Sequence, residues 1–155
     1  MIPAMVATTI LVMTCVIIHY ETLRLTSDHL LPSLTIPPRP RILVVMGVVF
    51  FAHTVEVWVF ALAYFILDNH FEIGSVAGNT NNSFAELLYF STETYTSLGF
   101  GDVFPLGGFR LIAGVEALLG LLMIGWSASF TYLEMQLFWE GHPGHRNRME
   151  KGKNG

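Results

Sequence analysis

Three long apolar runs, each almost free of charge, constrain this chain more than anything else in it. No Asp, Glu, Lys or Arg occurs between Met1 and Tyr20. The second run, Ile42 to Leu67, holds one acid, Glu56, and one histidine, His53. The third, Leu111 to Leu133, lies between Arg110 and Glu134 and carries only Glu116. A spanning helix needs about 20 mostly apolar residues rising about 1.5 Å each, and all three runs are long enough. Charged residues make up 13% of the 155 and hydrophobic ones 52%, against roughly 25% charged in a soluble domain. So little charge cannot cover a globule, which excludes a soluble enzyme, a disordered tail and a coiled coil. The net charge of −4 offers no basic face, so nucleic acid is not an expected partner. Cys15, the single cysteine, cannot form an internal disulfide.

The first run has no Lys or Arg ahead of it and no small-x-small cleavage site after it, so a retained span is expected rather than a signal peptide. Arg24, Arg39 and Arg41 separate the first two runs, and Arg146, Arg148, Lys151 and Lys153 follow the third. The positive-inside rule then places the N-terminus and the segment from Asp68 to Leu106 outside, and the C-terminus in the cytoplasm. Prolines 32, 37, 38 and 40 remove donors and disfavour helix before them, which predicts a stiff connector between spans one and two. Residues 141–155 are expected to be a frayed polar tail, and His142 and His145 lack further ligands for a metal. No span carries regularly spaced arginines, so a voltage sensor is not expected.

The outer segment carries the chemistry. A polar loop is expected from Asp68 to Asn82. Ser83-Phe84-Ala85-Glu86 then fits a capping box and predicts a helix from Phe84. That helix can run only about 12 residues before Gly99 and Gly101 break it, too short to cross a bilayer of about 30 Å. A short apolar helix followed by a Gly-containing stretch is the pattern of a re-entrant hairpin. Non-helical backbone at membrane depth survives only when buried in protein or lining a watery path. In Thr96-Ser97-Leu98-Gly99-Phe100-Gly101 the alternate glycines allow positive φ, which lets successive carbonyls turn to one side. Four such strands around an axis would stack rings of oxygens able to replace an ion's hydration shell. The helix would aim its partly negative C-terminal end at the centre.

The run Tyr89-Phe90-Ser91-Thr92-Glu93-Thr94-Tyr95-Thr96-Ser97-Leu98-Gly99-Phe100-Gly101-Asp102 resembles the pore helix and selectivity filter of potassium channels. It is most similar to the small bacterial channels with two spans around a pore loop, whose consensus is Thr-x-Gly-Tyr-Gly-Asp. Pro105 and Arg110 fall where that family enters its inner helix. The resemblance covers roughly residues 42–135 and not the first span. It implies an all-α membrane protein, a tetrameric pore-loop channel with three spanning helices and a re-entrant pore helix. The implied divisions are 1–41, an N-terminal span with a cytoplasmic Pro-rich linker; 42–135, the pore domain; and 136–155, a short tail. Within the pore domain, 42–67 is the outer helix, 84–95 the pore helix, 96–101 the filter and 106–135 the inner helix.

The resemblance also implies roles. Thr96, Ser97, Leu98, Gly99, Phe100 and Gly101 form the filter, with potassium held at Ser97, Leu98, Gly99 and Phe100. Tyr89, Phe90, Glu93 and Asp102 support it, Glu93 and Asp102 as a carboxyl–carboxylate pair. Gly120 is the gating hinge. The implied function is passive, potassium-selective conduction by a homotetramer in a bacterial inner membrane. Potassium is the permeant ion, membrane lipid a partner, and no cofactor or enzymatic activity is expected. The rival functions are a nonselective or sodium-conducting channel on the same scaffold and a non-conducting subunit. The chain departs from the consensus at Ser97, Leu98 and Phe100, and Phe100 lacks the phenolic hydroxyl that would brace the filter.

His53, Glu56 and Glu116 are expensive inside a bilayer and should face protein or water. His53 and Glu56 share a helix face. Counted from the outer ends of their spans, Glu56 and Glu116 lie at similar depth. Glu116 sits about 110° from the stripe of Ala117, Leu121, Ile124 and Ala128, so it should point toward span two. A buried cluster of the three is therefore expected, serving as a polar clasp, a proton sensor or a metal site. Gly114, Gly120 and Gly125 suit close helix packing, and the Ser127 and Ser129 hydroxyls are expected to bond back one turn.

Overall fold

The computed structural model describes residues 2–71, 73–81 and 83–140. The expected tail, with His142, His145, Arg146, Arg148, Lys151 and Lys153, lies outside the described residues. Among the described residues, three helical stretches are long and apolar enough to cross a membrane: Ile2–Ser33, Pro40–Phe71 and Phe109–Leu137.

The first stretch begins as α1, Ile2–Leu25, widens into a π-helical turn at Thr26–Leu30, and ends in α2, Leu31–Ser33. Pro32 has no N–H for the carbonyl one turn back, and the wide turn just before it absorbs that loss. The Pro-rich connector is shorter than the sequence suggests. Only residues 34–37 are non-helical. Pro32 sits at the start of α2, while Pro38 and Pro40 lie in the first turn of α3 (Pro38–Phe71). No donor is needed at these positions and a fixed φ helps. Arg41 folds the connector back by donating to the Ile36 (3.2 Å) and Leu34 (2.9 Å) carbonyls.

The outer segment is not wholly loop. β1 (Gly74–Gly78) pairs antiparallel with β2 (Val103–Gly107), Val76 opposite Pro105. Consequently the inner helix, α5, starts at Phe109 rather than at residue 106 and runs to Glu140. Val76 and Val103 are buried beneath this small sheet, which fixes its register by one apolar face. Its backbones meet closely at Gly78, φ 113°, where a β-carbon would sit 2.2 Å from the Asp102 carbonyl oxygen.

Between the strands lies α4, Phe84–Tyr95, capped by Ser83, whose Oγ accepts from the Glu86 N–H. The other half of the expected box is different: the Ser83 N–H donates to Asn81 Oδ1 at 3.0 Å. Helix α4 packs between α3 and α5. Leu87 and Phe90 join Phe60, Tyr64, Phe109 and Ile112 in the core. The ring of Tyr64 meets Phe90 edge-on at 5.2 Å and Phe109 at 4.9 Å. Helix α1 lies along α3 and α5, burying Ala4, Thr8, Leu11, Cys15, His19 and Leu23. Their spacing of three and four is one helical stripe, and the opposite face, with Ile10 and Ile17, stays exposed.

Candidate functional site: a filter-like strand and a buried polar ring

Beyond Tyr95 the chain leaves the helix through the two bonds of a Schellman turn. The Leu98 N–H donates to the Glu93 carbonyl (2.9 Å) and the Ser97 N–H to that of Thr94 (3.0 Å). Ser97 occupies the left-handed position, φ 57°, where glycine is usual. Gly99 (54°) and Gly101 (82°) are left-handed too. Positive φ thus recurs at every second residue from Ser97 to Gly101. Residues 96–102 are all exposed in the isolated chain, although Tyr95 before them and Val103 after them are buried.

Side chains of α4 brace this strand from behind. Glu93 is buried, and its Oε2 accepts the Phe100 N–H at 3.1 Å. Desolvation pushes the Glu93 carboxyl above its ordinary value; the nearby Asp102 charge adds to the rise, and the Phe100 N–H opposes it. Asp102 binds elsewhere. The Tyr89 hydroxyl donates to its carboxylate, 3.2 Å from each oxygen, and the Tyr89 ring stacks parallel to Phe100. A phenol is therefore present behind the strand, supplied by Tyr89 instead of residue 100. Phe90 is a core residue that meets Tyr64 edge-on.

The three expected intramembrane polar residues divide between two sites. Glu116 accepts from the Tyr64 hydroxyl at 2.7 Å and lies 2.6 Å from Ser91 Oγ, so it faces both α3 and α4. Ser91 also donates to the Val57 carbonyl at 2.9 Å. A serine has one hydrogen, so every contact is satisfied when Glu116 carries a proton and donates it to Ser91. His53 and Glu56 instead join three residues that the sequence reading did not assign to them. His19 Nδ1 lies 2.8 Å from Glu56 Oε1. The Tyr95 hydroxyl donates to Glu56 Oε2 and lies 2.9 Å from His53 Nδ1. Ser127 Oγ lies 3.0 Å from His53 Nε2 and 3.1 Å from His19 Nε2. Glu56, Tyr95, His53, Ser127 and His19 therefore form a closed ring joining α1, α3, α4 and α5. Ligand atoms of His19, His53 and Glu56 lie within 4.8 Å of one another. Their short contacts have the length of hydrogen bonds.

The family model for ion channels matches residues 52–134, more than half of the chain, including α4 and the strand 96–102. The chain belongs to this ion channel family. Ion channels are transporters, not enzymes, and this channel is an integral membrane protein. It is also 43% identical over 70 residues to Protein LctB of Geobacillus stearothermophilus, a match covering 41% of this chain and 52% of that protein. The channel thus spans about half the length of this curated relative. No solved structure matches it significantly.

In the channel, Gly120 is buried against the end of α4: a β-carbon there would lie 2.0 Å from the Tyr95 carbonyl oxygen. Nothing lies within 4 Å of the corresponding positions at Gly114 and Gly125. Leu121, Ile124 and Ala128 form an exposed stripe, with Ala117 half-buried. Ser129 bonds back to the Gly125 carbonyl at 3.0 Å, whereas Ser127 turns into the ring. His19 was detectable in the sequence as a histidine inside a span with no charge, an expensive placement that calls for a partner. Tyr95 and Ser127 gave no such signal.

Proposed function

We propose that the channel conducts potassium selectively through four copies of the strand 96–101 arranged about a common axis. The observation that carries this reading is the recurrence of left-handed φ at Ser97, Gly99 and Gly101, in a strand that is exposed while its flanks are buried. Alternating the sign of φ turns successive carbonyls toward one side, the arrangement that replaces a cation's water. Irregular backbone of this kind is not stable against lipid, so the exposed face of residues 96–102 needs either water or other copies of the chain. A fourfold assembly supplies both. In this reading Ser97, Leu98, Gly99 and Phe100 provide carbonyl oxygens for potassium. Glu93 and Tyr89 hold the strand from behind, and the stripe of Leu121, Ile124 and Ala128 lines the cavity below. Gly120 would serve as the hinge of α5 as well as the contact point of α4. In this reading the chain sits in a bacterial inner membrane, and its Lys and Arg residues put the N-terminus outside and the C-terminus in the cytoplasm.

Purified protein in liposomes tests the reading. Rubidium uptake driven by a potassium gradient, and a reversal potential that follows potassium over sodium, are expected. A reversal potential indifferent to the two ions would favour a nonselective channel, and one that follows sodium a sodium channel. No flux at all would favour a non-conducting subunit.

A further inference from the structure

The ring of Glu56, Tyr95, His53, Ser127 and His19 contains five hydrogen bonds. Each bond needs a hydrogen. With Glu56 ionised and both imidazoles neutral, the ring holds four: one each from Tyr95, Ser127, His19 and His53. Tyr95 gives its hydrogen to Glu56, His53 Nδ1 donates to the Tyr95 oxygen, and His19 Nδ1 donates to Glu56. Ser127 then faces two ring nitrogens, both acceptors, with a single hydrogen. One nitrogen is left without a bond, and the ring as a whole carries a buried negative charge.

We propose that this ring is a binding site for one proton, shared by His19 and His53 through Ser127, and that its occupancy controls conduction through the tie that Ser127 makes between α5 and the two histidines. A fifth hydrogen completes every bond. One imidazole becomes a cation, its Nε2–H donates to Ser127 Oγ, and Ser127 donates to the other Nε2. Two concerted proton shifts, from one Nε2 to Ser127 Oγ and from Ser127 Oγ to the other Nε2, hand the charge from one histidine to the other and leave the serine neutral. The loaded ring is neutral overall, a carboxylate facing an imidazolium, whereas the unloaded ring leaves Glu56 uncompensated. The apolar runs of the three spans supply no permanent positive charge: no Lys or Arg occurs from Met1 to Tyr20, from Ile42 to Leu67 or from Leu111 to Leu133. An uncompensated charge in a membrane interior is costly, so a proton is the cation that this site selects.

The surrounding titratable groups do not fill that role. Cys15 on α1 is a buried thiol and brings no positive charge. Tyr64 on α3 and Glu116 on α5 are engaged with each other. Glu93 on α4 is turned to the Phe100 N–H. Access is available at His53, whose side chain is 18% exposed while those of His19 and Glu56 are fully buried. The link to conduction is positional. Tyr95 is the last residue of α4, immediately before Thr96, and its carbonyl oxygen rests on Gly120 of α5. Both Tyr95 bonds are made in either state, so the change falls at Ser127, about two turns beyond Gly120 on α5: a loaded ring ties it to both histidines, on α1 and α3, and an unloaded one releases one of the two.

The proton site does not depend on the channel being potassium-selective, but its effect on flux depends on the channel reading, so two measurements separate them. Trp126 lies against His19, ring centroids 5.3 Å apart, and a protonated imidazole quenches a contacting indole. In the W58F/W139F background, Trp126 emission in the full-length protein should rise with pH as a single-proton curve. The curve should vanish in His19→Gln and shift toward acid in Glu56→Gln, where the carboxylate that holds the proton is gone. Emission flat between about pH 5 and about pH 10, a range bracketing ordinary histidine by more than a unit on either side, overturns the site. So does a curve unmoved in Glu56→Gln. In liposomes, cation flux should fall severalfold across the same pH interval, and His53→Gln should abolish that dependence. Titrating emission with pH-independent flux overturns the control of conduction and leaves the proton site standing. Titrating emission with no flux at all overturns the channel reading alone.

Discussion

Gly120 and Tyr95 touch so closely that no side chain fits between them: a β-carbon on Gly120 would lie 2.0 Å from the Tyr95 carbonyl oxygen. That oxygen belongs to backbone at the end of α4, so it cannot swing aside as a flexible side-chain tip would. Gly120→Ala should therefore displace the end of α4 or the middle of α5. Overpacking of this kind costs about 1–3 kcal/mol, which outweighs the roughly 1 kcal/mol gained by replacing glycine in a helix. Thermal melting of the solubilised protein should show a lower midpoint for Gly120→Ala and cation flux should drop. Gly114→Ala, with nothing within 4 Å of its added carbon, should melt no earlier than the parent. Equal melting of the two variants would mean that the contact is not maintained in the membrane.

The outer sheet makes a similar demand at Gly78. Its φ of 113° suits glycine alone, and a β-carbon would meet the Asp102 carbonyl oxygen at 2.2 Å. The same oxygen accepts the Asn79 N–H at 2.9 Å, which ties β1 to the residue that ends the filter-like strand. Gly78→Ala should thus disturb Asp102 and its bond to Tyr89. The expected result is reduced discrimination between potassium and sodium in reversal potentials, with the three spans intact by helical circular dichroism. Unchanged discrimination would show that the sheet does not position the strand.

Much of this arrangement was legible in the sequence, and the parts that were not share a physical cause. Span number follows from runs without charge, and the start of α4 follows from Ser83, because both are local signals. The pairing of β1 with β2 is not local. Gly74-Ser75-Val76-Ala77-Gly78 has one large apolar residue, and β2 contains Pro105, which argues against a strand unless it lies at an edge. The ring was half visible. His53 and Glu56 are one turn apart, but His19 lies 37 residues before Glu56, and Ser127 and Tyr95 are unremarkable until the helices pack. Glu116 faces span two as expected, yet its partners are Tyr64 and Ser91 rather than His53 and Glu56. Depth alone does not specify rotation about a neighbouring helix axis.

Glu93 predicts a second pH response, distinct from that of the ring. Its carboxyl is raised above the ordinary value, chiefly by desolvation and further by Asp102. The folded protein therefore holds this proton more tightly than the unfolded chain does. Its contribution to stability is fully present below the unfolded value and is lost as pH rises through the raised folded one. Glu93→Gln keeps an oxygen to accept the Phe100 N–H but cannot ionise. Melting midpoints measured from about pH 4 upward, starting near the ordinary glutamate value, should decline more steeply for the parent than for Glu93→Gln. Parallel curves would remove Glu93 as the cause. Glu93→Ala, which leaves the Phe100 N–H without its acceptor, should be less stable at every pH.

Glu116 should behave as a group that needs its proton rather than its charge. Ser91 offers one hydrogen to two acceptors, Glu116 and the Val57 carbonyl, while Tyr64 donates to the second Glu116 oxygen. Only a Glu116 that donates to Ser91 satisfies all of them. A glutamine has the same shape, with an NH2 to donate to Ser91 and an oxygen to accept from Tyr64. Glu116→Gln should therefore melt close to the parent and leave flux unchanged. Glu116→Ala strands the Tyr64 hydroxyl in the core, and Tyr64→Phe removes one of the two bonds to Glu116. Each should cost about 1–3 kcal/mol, the range for a buried polar group left unpaired. If Glu116→Gln instead melted as early as Glu116→Ala, the negative charge itself would be the stabilising feature, and the direction of the Ser91 bond would have to be reversed.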